Sequence, residues 1–271
     1  MLILYHHGSS VCAAKVRLAL AEKNLLWEGR YIDILKGDQF TPEFRKLNPK
    51  SLVPVLIDDG RIITESTVIN EYLEERFPQP PIFPSDPYLR AKMRMWTKVV
   101  DEHLHPACAA LTFVSSHRHT VAKLGPEKLK EFLDNTPAVS SLSPTWKEDK
   151  RRYVEQGFAA PGAAEMIRLY DYYMRKMDDD LQHGPWLIGE MFTAADIAVI
   201  PYVNRLDMLG LAGLWEGGRL PRLDDWWQRV QARPSFKPQI IDQIPESLTN
   251  DLRTYGPKSW PEIKRIVGIA A

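Results

Sequence analysis

Residues 47–78 read LNPKSLVPVLIDDGRIITESTVINEYLEERFP, and their reading decides the fold. VPVLI (53–57) and RIIT (61–64) are short apolar runs on either side of Asp59-Gly60, a turn pair that predicts a hairpin. In ESTVINEYLEERF, Val68, Ile69, Tyr72 and Leu73 fall on one face at helical spacing. The stretch is therefore strand, strand, helix. Upstream, residues 2–5 (LILY) read as a buried strand and 10–24 (SVCAAKVRLALAEKN) as a helix with a serine N-cap. Residues 27–33 (WEGRYID) alternate like a second strand, and 42–48 make a short helix before Asn48-Pro49. A βαβ unit joined to a ββα unit gives a mixed sheet flanked by helices.

Downstream the signals change. Pro78 to Pro87 holds five prolines and reads as a linker. Beyond it the pattern is helical. Met93, Trp96, Val100, Leu104, Ala107 and Leu111 recur at i+3/i+4 steps over 87–112. Residues 115–160 are mixed, polar and proline-containing, and read as a partly helical insertion. Residues 162–182 form another helix. Thr193-Ala194-Ala195-Asp196 has the form of a capping box opening a helix to about Leu209, with Pro201 inside it. Residues 221–232 make a further helix, and the tail 238–271 ends in one near 260–268. The expected division is 1–79, a linker at 80–87, and a helical domain at 88–271.

Bulk properties exclude several functions. The 35 basic residues balance 35 acidic ones, so no field favours nucleic acid or an anionic membrane. Two cysteines, Cys12 and Cys108, cannot build a disulfide framework or a four-cysteine zinc site. The opening MLILYHHG has neither a basic n-region nor a long apolar h-region. No apolar run is long enough to span a bilayer. The composition is that of a cytoplasmic protein, with no metal expected.

Three stretches resemble the glutathione transferase superfamily: SSVCAAKVRLALAEKN (9–24), the 47–78 segment, and WLIGEMFTAADIAVIPYVNRLDMLG (186–210) with PRLDDWWQRVQARPSF (221–236). The V-P pair followed eleven residues on by Glu65-Ser66, then T-A-A-D in a helical half, carries the likeness. ITESTVINEYLEERFP and DPYLRAKMRMWTKVVDE (86–102) are similar to the bacterial etherase-like branch, whose enzymes use glutathione to cleave β-aryl ethers. The resemblance implies an α/β thioredoxin-like N-terminal domain, an all-α C-terminal domain, glutathione as co-substrate, a small hydrophobic or aromatic electrophile as acceptor, and a homodimer.

It also implies site residues. The family's V-P proline is cis, which leaves the backbone of Val53, before Pro54, free to pair with the cysteinyl backbone of glutathione as an added strand would. The N-terminus of the helix at Glu65-Ser66 would hold the γ-glutamyl carboxylate, with Glu65 facing the ammonium; a plain N-cap is the simpler reading of the same residues. Serine-type relatives place their catalytic serine at Ser10, with Ser9 the neighbouring competitor. A hydroxyl donating to sulfur at a helix start favours the thiolate, which is the nucleophile. Cysteine-type relatives place their cysteine at the same position, so Cys12, two residues on, opens a thiol-transferase alternative beside that of a non-catalytic ligand carrier. Many relatives have Lys or Gln where Leu52 stands; Lys50 or a residue near Gln39 would then meet the glycine carboxylate. His7, Val11, Trp96 and His103 are the candidates for the acceptor pocket. Asp196 reads as structural.

Overall fold

The computed structural model describes residues 1–137 and 143–269. The chain forms two compact units. The first comprises Met1–Val100, Met177–Pro201 and Arg222–Pro245; the second comprises Asp101–Lys176, Tyr202–Pro221 and the chain from Glu246 on.

The first unit is built on β1 (Leu2–His6), α1 (Val11–Glu22), β2 (Trp27–Tyr31), α2 (Pro42–Leu47), β3 (Val55–Asp58), β4 (Arg61–Thr64) and α3 (Ser66–Arg76). The four strands lie in the order β2-β1-β3-β4. β1 runs parallel to β2 and antiparallel to β3, and β3 is antiparallel to β4 through the Asp59-Gly60 turn. This is the mixed sheet expected from the sequence. Strand alternation sorts β1: Leu2, Leu4 and His6 are buried, while Ile3 and Tyr5 are half-buried on the other face. Tyr5 joins Ile32, Ile34 and Leu47 around Phe44 of α2, Val53 and Val55. Thr41 caps α2, accepting from the Phe44 N–H, with Pro42 in the first turn.

The proline-rich linker is pinned. The Glu74 carboxylate accepts the amides of Ile82 (3.1 Å) and Phe83 (3.2 Å) and the fully buried Lys23 ammonium (2.6 Å). Lys23 also donates to the Pro80 carbonyl at 2.9 Å. The chain then enters α4 (Pro87–Val99), capped by Asp86 through the Leu89 N–H.

The helical stretch over 87–112 is interrupted by a π-helical turn at Val100–Leu104 before α5 (His105–Thr112). A second π-turn, Phe113–His117, leads into α6 (Arg118–Ala122), followed by α7 (Pro126–Asp134) and α8 (Trp146–Gln156). The expected insertion thus carries three helices, and its residues 138–142 lie outside the described residues. Within the second unit the buried Lys150 donates to Thr136 Oγ1 (3.1 Å) and lies 3.8 Å from the centre of the Phe132 ring; burial pushes its pKa down to about 7.

α9 (Ala163–Asp180), α10 (Ala194–Met208) and α11 (Pro221–Gln231) follow, then α12 (Glu246–Tyr255) and α13 (Trp260–Val267). The Thr193–Asp196 box is formed: Asp196 accepts from Thr193 N–H at 2.9 Å, and Thr193 Oγ1 accepts from Ala195 N–H at 3.2 Å. The fully buried Asp196 also accepts from Leu187 N–H and Trp226 Nε1, each at 3.0 Å. It therefore ties three segments of the first unit together. Burial raises its pKa, while these hydrogen bonds act in the opposite sense. Among the described residues no helix is long and apolar enough to cross a membrane.

Candidate active site

The sheet register brings four loops to one end of the sheet. β1 ends at His6 beside Tyr31, the end of β2, and Tyr5 pairs with Val55, the start of β3, which pairs with Thr64, the end of β4. Residues 7–10, 32–41, 48–54 and 65–66 therefore leave the sheet together. Ser9, Ser10, Gln39, Lys50, Leu52, Val53, Pro54, Glu65 and Ser66 all sit on these loops or at their ends.

The Val53–Pro54 peptide is cis. Among the described residues no backbone group pairs with the Val53 N–H or C=O. Its loop is shaped by Asn48, which donates from Nδ2 to the Leu52 carbonyl (2.9 Å) and accepts from the Lys50 N–H (3.1 Å). In the sequence Asn48 marks a helix end before Pro49, and an asparagine there also favours an Asx-type turn. Leu52 is half-buried.

Glu65 has φ +66° and ψ 110°, a backbone state that costs a non-glycine residue roughly 1–3 kcal/mol and gathers at ligand clamps. It delivers the chain to Ser66, the buried first residue of α3, whose leading amides lie outside the helix's own ladder. The Glu65 side chain pairs with Lys50 Nζ at 2.8 Å, both half-exposed. The two charges assigned to opposite ends of a tripeptide here face each other. Gln39 is buried, donates from Nε2 to the Ile34 carbonyl at 3.0 Å, and leaves Oε1 without a hydrogen-bond partner.

Ser10 is the N-cap of α1, its Oγ accepting from the Ala13 N–H at 3.2 Å. Accepting uses a lone pair and leaves the hydroxyl proton to donate. Ser10 is half-buried, whereas Ser9 is 7 % exposed. Cys12 is half-buried in the first turn and Val11 is buried. His7 is 1 % exposed: Nδ1 accepts from Ser9 N–H (3.2 Å), Nε2 stands 3.9 Å from Asp33 Oδ1, and the ring packs on Tyr31. These engagements make it an organiser of the loop. Burial pushes Tyr31 up to about 12. Trp96 is buried in the first unit and donates to Asp180 Oδ2 at 3.0 Å; His103, in the second, stacks on Tyr173 with ring centres 5.3 Å apart. Among the described residues no group of three or more His, Cys, Asp or Glu side chains could hold a metal.

A sheet of this topology with a cis proline entering β3 and a serine-capped α1, followed by helices, is the architecture of glutathione transferases. Residues 4–81 match the family described as glutathione S-transferase, N-terminal domain, and residues 163–229 match the glutathione S-transferase, C-terminal domain. The chain belongs to the glutathione S-transferase family and is a glutathione-dependent transferase. It is 30% identical over 238 residues to protein LigF of Sphingobium sp. (strain NBRC 103272 / SYK-6), covering 86% of this chain and 91% of LigF. The crystal structure of beta-etherase LigF from Sphingobium sp. strain SYK-6 superposes with TM-score 0.79 over 89% of this chain and 99% of that one. Glutathione S-transferase Z1 of Arabidopsis thaliana is 46% identical over 88 residues, 32% of this chain and 40% of that protein.

Proposed function

We propose that this protein activates the thiol of glutathione with Ser10 and directs it at an aromatic ether or a related hydrophobic electrophile. The observation that carries this is the convergence of a serine-capped helix start, an unpaired Val53 backbone and the Glu65-Ser66 helix start at one end of one sheet. The tripeptide would pair with Val53 as an added strand, its γ-glutamyl carboxylate on the leading amides of α3, with Gln39 and Lys50 toward its other end. Ser10 O–H would donate to sulfur, aided by the partial positive charge at the start of α1. The thiolate then attacks the carbon bearing an aryloxy group. A C–S bond forms, the C–O bond breaks, and the aryloxide leaves with the bonding pair and takes up a proton. The likeness to LigF favours the ether as acceptor. His7, Val11 and Trp96 are proposed to shape the acceptor side from within the first unit, Ser9 and Cys12 being secondary candidates at the sulfur. A cytoplasmic homodimer completes the proposal.

The test is a pair of variants. Ser10→Ala is expected to raise the pKa of bound glutathione by ~1–2 and to slow turnover by ~10–100-fold, the worth of one hydrogen bond to a charged group. Its glutathione affinity should change little, and Cys12→Ala should retain turnover. Turnover that survives Ser10→Ala but vanishes in Cys12→Ala assigns the chemistry to the cysteine. Calorimetry that finds no glutathione binding to the wild type removes the proposal.

A further inference from the structure

Arg17 lies on α1, and its side chain is fully buried. Its fork grips two successive carbonyls of the loop before the serines: Nη1 donates to His7 O at 3.2 Å and Nη2 to Gly8 O at 3.1 Å. A guanidinium on consecutive carbonyls fixes both peptide planes, and with them the direction in which the chain enters Ser9 and Ser10. A further bond goes elsewhere: Nε donates to the carbonyl of Gln239 at 2.9 Å.

Gln239 lies in a π-helical turn, Lys237–Ile241. The segment containing it runs along α1 and is held at each end. At the far end, Glu22 accepts from Arg233 Nε at 3.1 Å and from the Ser235 hydroxyl. At the near end the segment closes onto the loop: a methyl group added at Gly8 would overlap the carbonyl of Gln243. This segment starts beyond residue 229, where the match to the C-terminal family domain ends.

We infer that Arg233–Gln243 is a brace for the serine loop, and that Arg17 is the positioning residue that couples the brace to Ser10. Its catalytic consequence rests on the role of Ser10 proposed above; its structural consequence does not. Misplacing a catalytic group by about 1 Å costs on the order of 100-fold in rate, so a loop with only its own hydrogen bonds would be a poor support for sulfur.

Arg17→Lys keeps the charge and loses the fork. Gly8→Ala leaves Arg17 intact and wedges the loop from Gln243. In both, three quantities are measured: glutathione affinity by calorimetry, the pKa of the bound thiol from thiolate absorbance, and the rate at which a disulfide reagent modifies Cys12. Both variants are expected to bind glutathione within roughly threefold of wild type, to raise the bound-thiol pKa by about one unit, and to modify Cys12 about fivefold faster or more. A folded variant with unchanged thiol pKa and unchanged Cys12 rate overturns the inference. Should wild type not bind glutathione, the functional proposal fails, and Cys12 modification still decides for or against the brace. In wild type, amide exchange of residues 7–12 and 237–243 is expected to share one opening rate. Rates differing by more than about tenfold overturn the brace whether or not the variants fold.

Discussion

His6 closes β1 beneath the serine loop, with Arg17 Nη1 3.5 Å from its Nδ1 and the Trp27 ring against its edge. Burial first, then the charges of Arg17 and His7, push its pKa down to about 4. The folded state thus keeps the ring neutral, while the unfolded chain takes a proton near its ordinary value of ~6.5. The unfolded state binds more protons between those values, so stability is present above pH 6.5 and is lost as pH falls toward 4. The shift corresponds to roughly 3 kcal/mol. Chemical denaturation of wild type at pH 7 and at pH 4.5 is expected to show this loss, and His6→Asn, which cannot titrate, is expected to flatten it; an equal loss in the variant refutes the assignment. In the sequence His6 is only the residue that follows the first strand. Ser10 and the V-P pair were legible because their roles are local: a cap three residues from its amide, a proline fixing one peptide. The burial of Arg17 depends on a carbonyl 222 positions away, and no local pattern encodes that.

At the scale of elements, α1 and α3 are joined through the linker by a small ionic core. Lys23 is buried with one carboxylate partner, Glu74, which also holds two linker amides. Glu74→Ala strands a buried ammonium and two N–H groups, and is expected to cost about 3–5 kcal/mol. Lys23→Met with Glu74→Gln, by restoring a neutral site, is expected to recover part of that. Thermal unfolding of both checks it, and a Glu74→Ala loss under about 1 kcal/mol contradicts the clamp. The strands and helices of the first 76 residues were readable to within two residues because each has a clean period and a cap or turn at its boundary. The π-turns at Val100–Leu104 and Phe113–His117 were invisible, since one extra residue in a turn barely disturbs an i+3/i+4 stripe. α12 was missed because Pro245-Glu246 reads as loop, and its core residues, Leu248 and Leu252, are too few to mark a face.

For the molecule as a whole, the proposed dimer is the property most open to direct measurement. Val68 on α3 and Met95 on α4 are exposed, 55% and 67%, on helices linked by the Glu71–Arg94 ion pair. Single apolar residues at a surface are ordinary, but two on linked helices suit a contact between copies. Sedimentation is expected to give twice the 31.1 kDa chain mass, and Met95→Glu is expected to weaken the dimer by about tenfold or more. A wild type that sediments as a monomer at micromolar concentration rules this out. The sequence signalled two halves by its change of composition at the prolines. It did not signal that residues 177–201 and 222–245 belong to the first compact unit, because that assignment is made by packing over long sequence distances.

The Lys50–Glu65 pair has a consequence for selectivity. A simple anion entering there can replace Glu65 as partner to Lys50 but sets a second negative charge beside the displaced carboxylate. A simple cation meets the mirror-image difficulty at Lys50. Only a guest bearing both signs, spaced along its length, leaves no displaced charge behind. Both side chains are half-exposed, so water weakens the resting pair and a guest of this kind parts it at little cost.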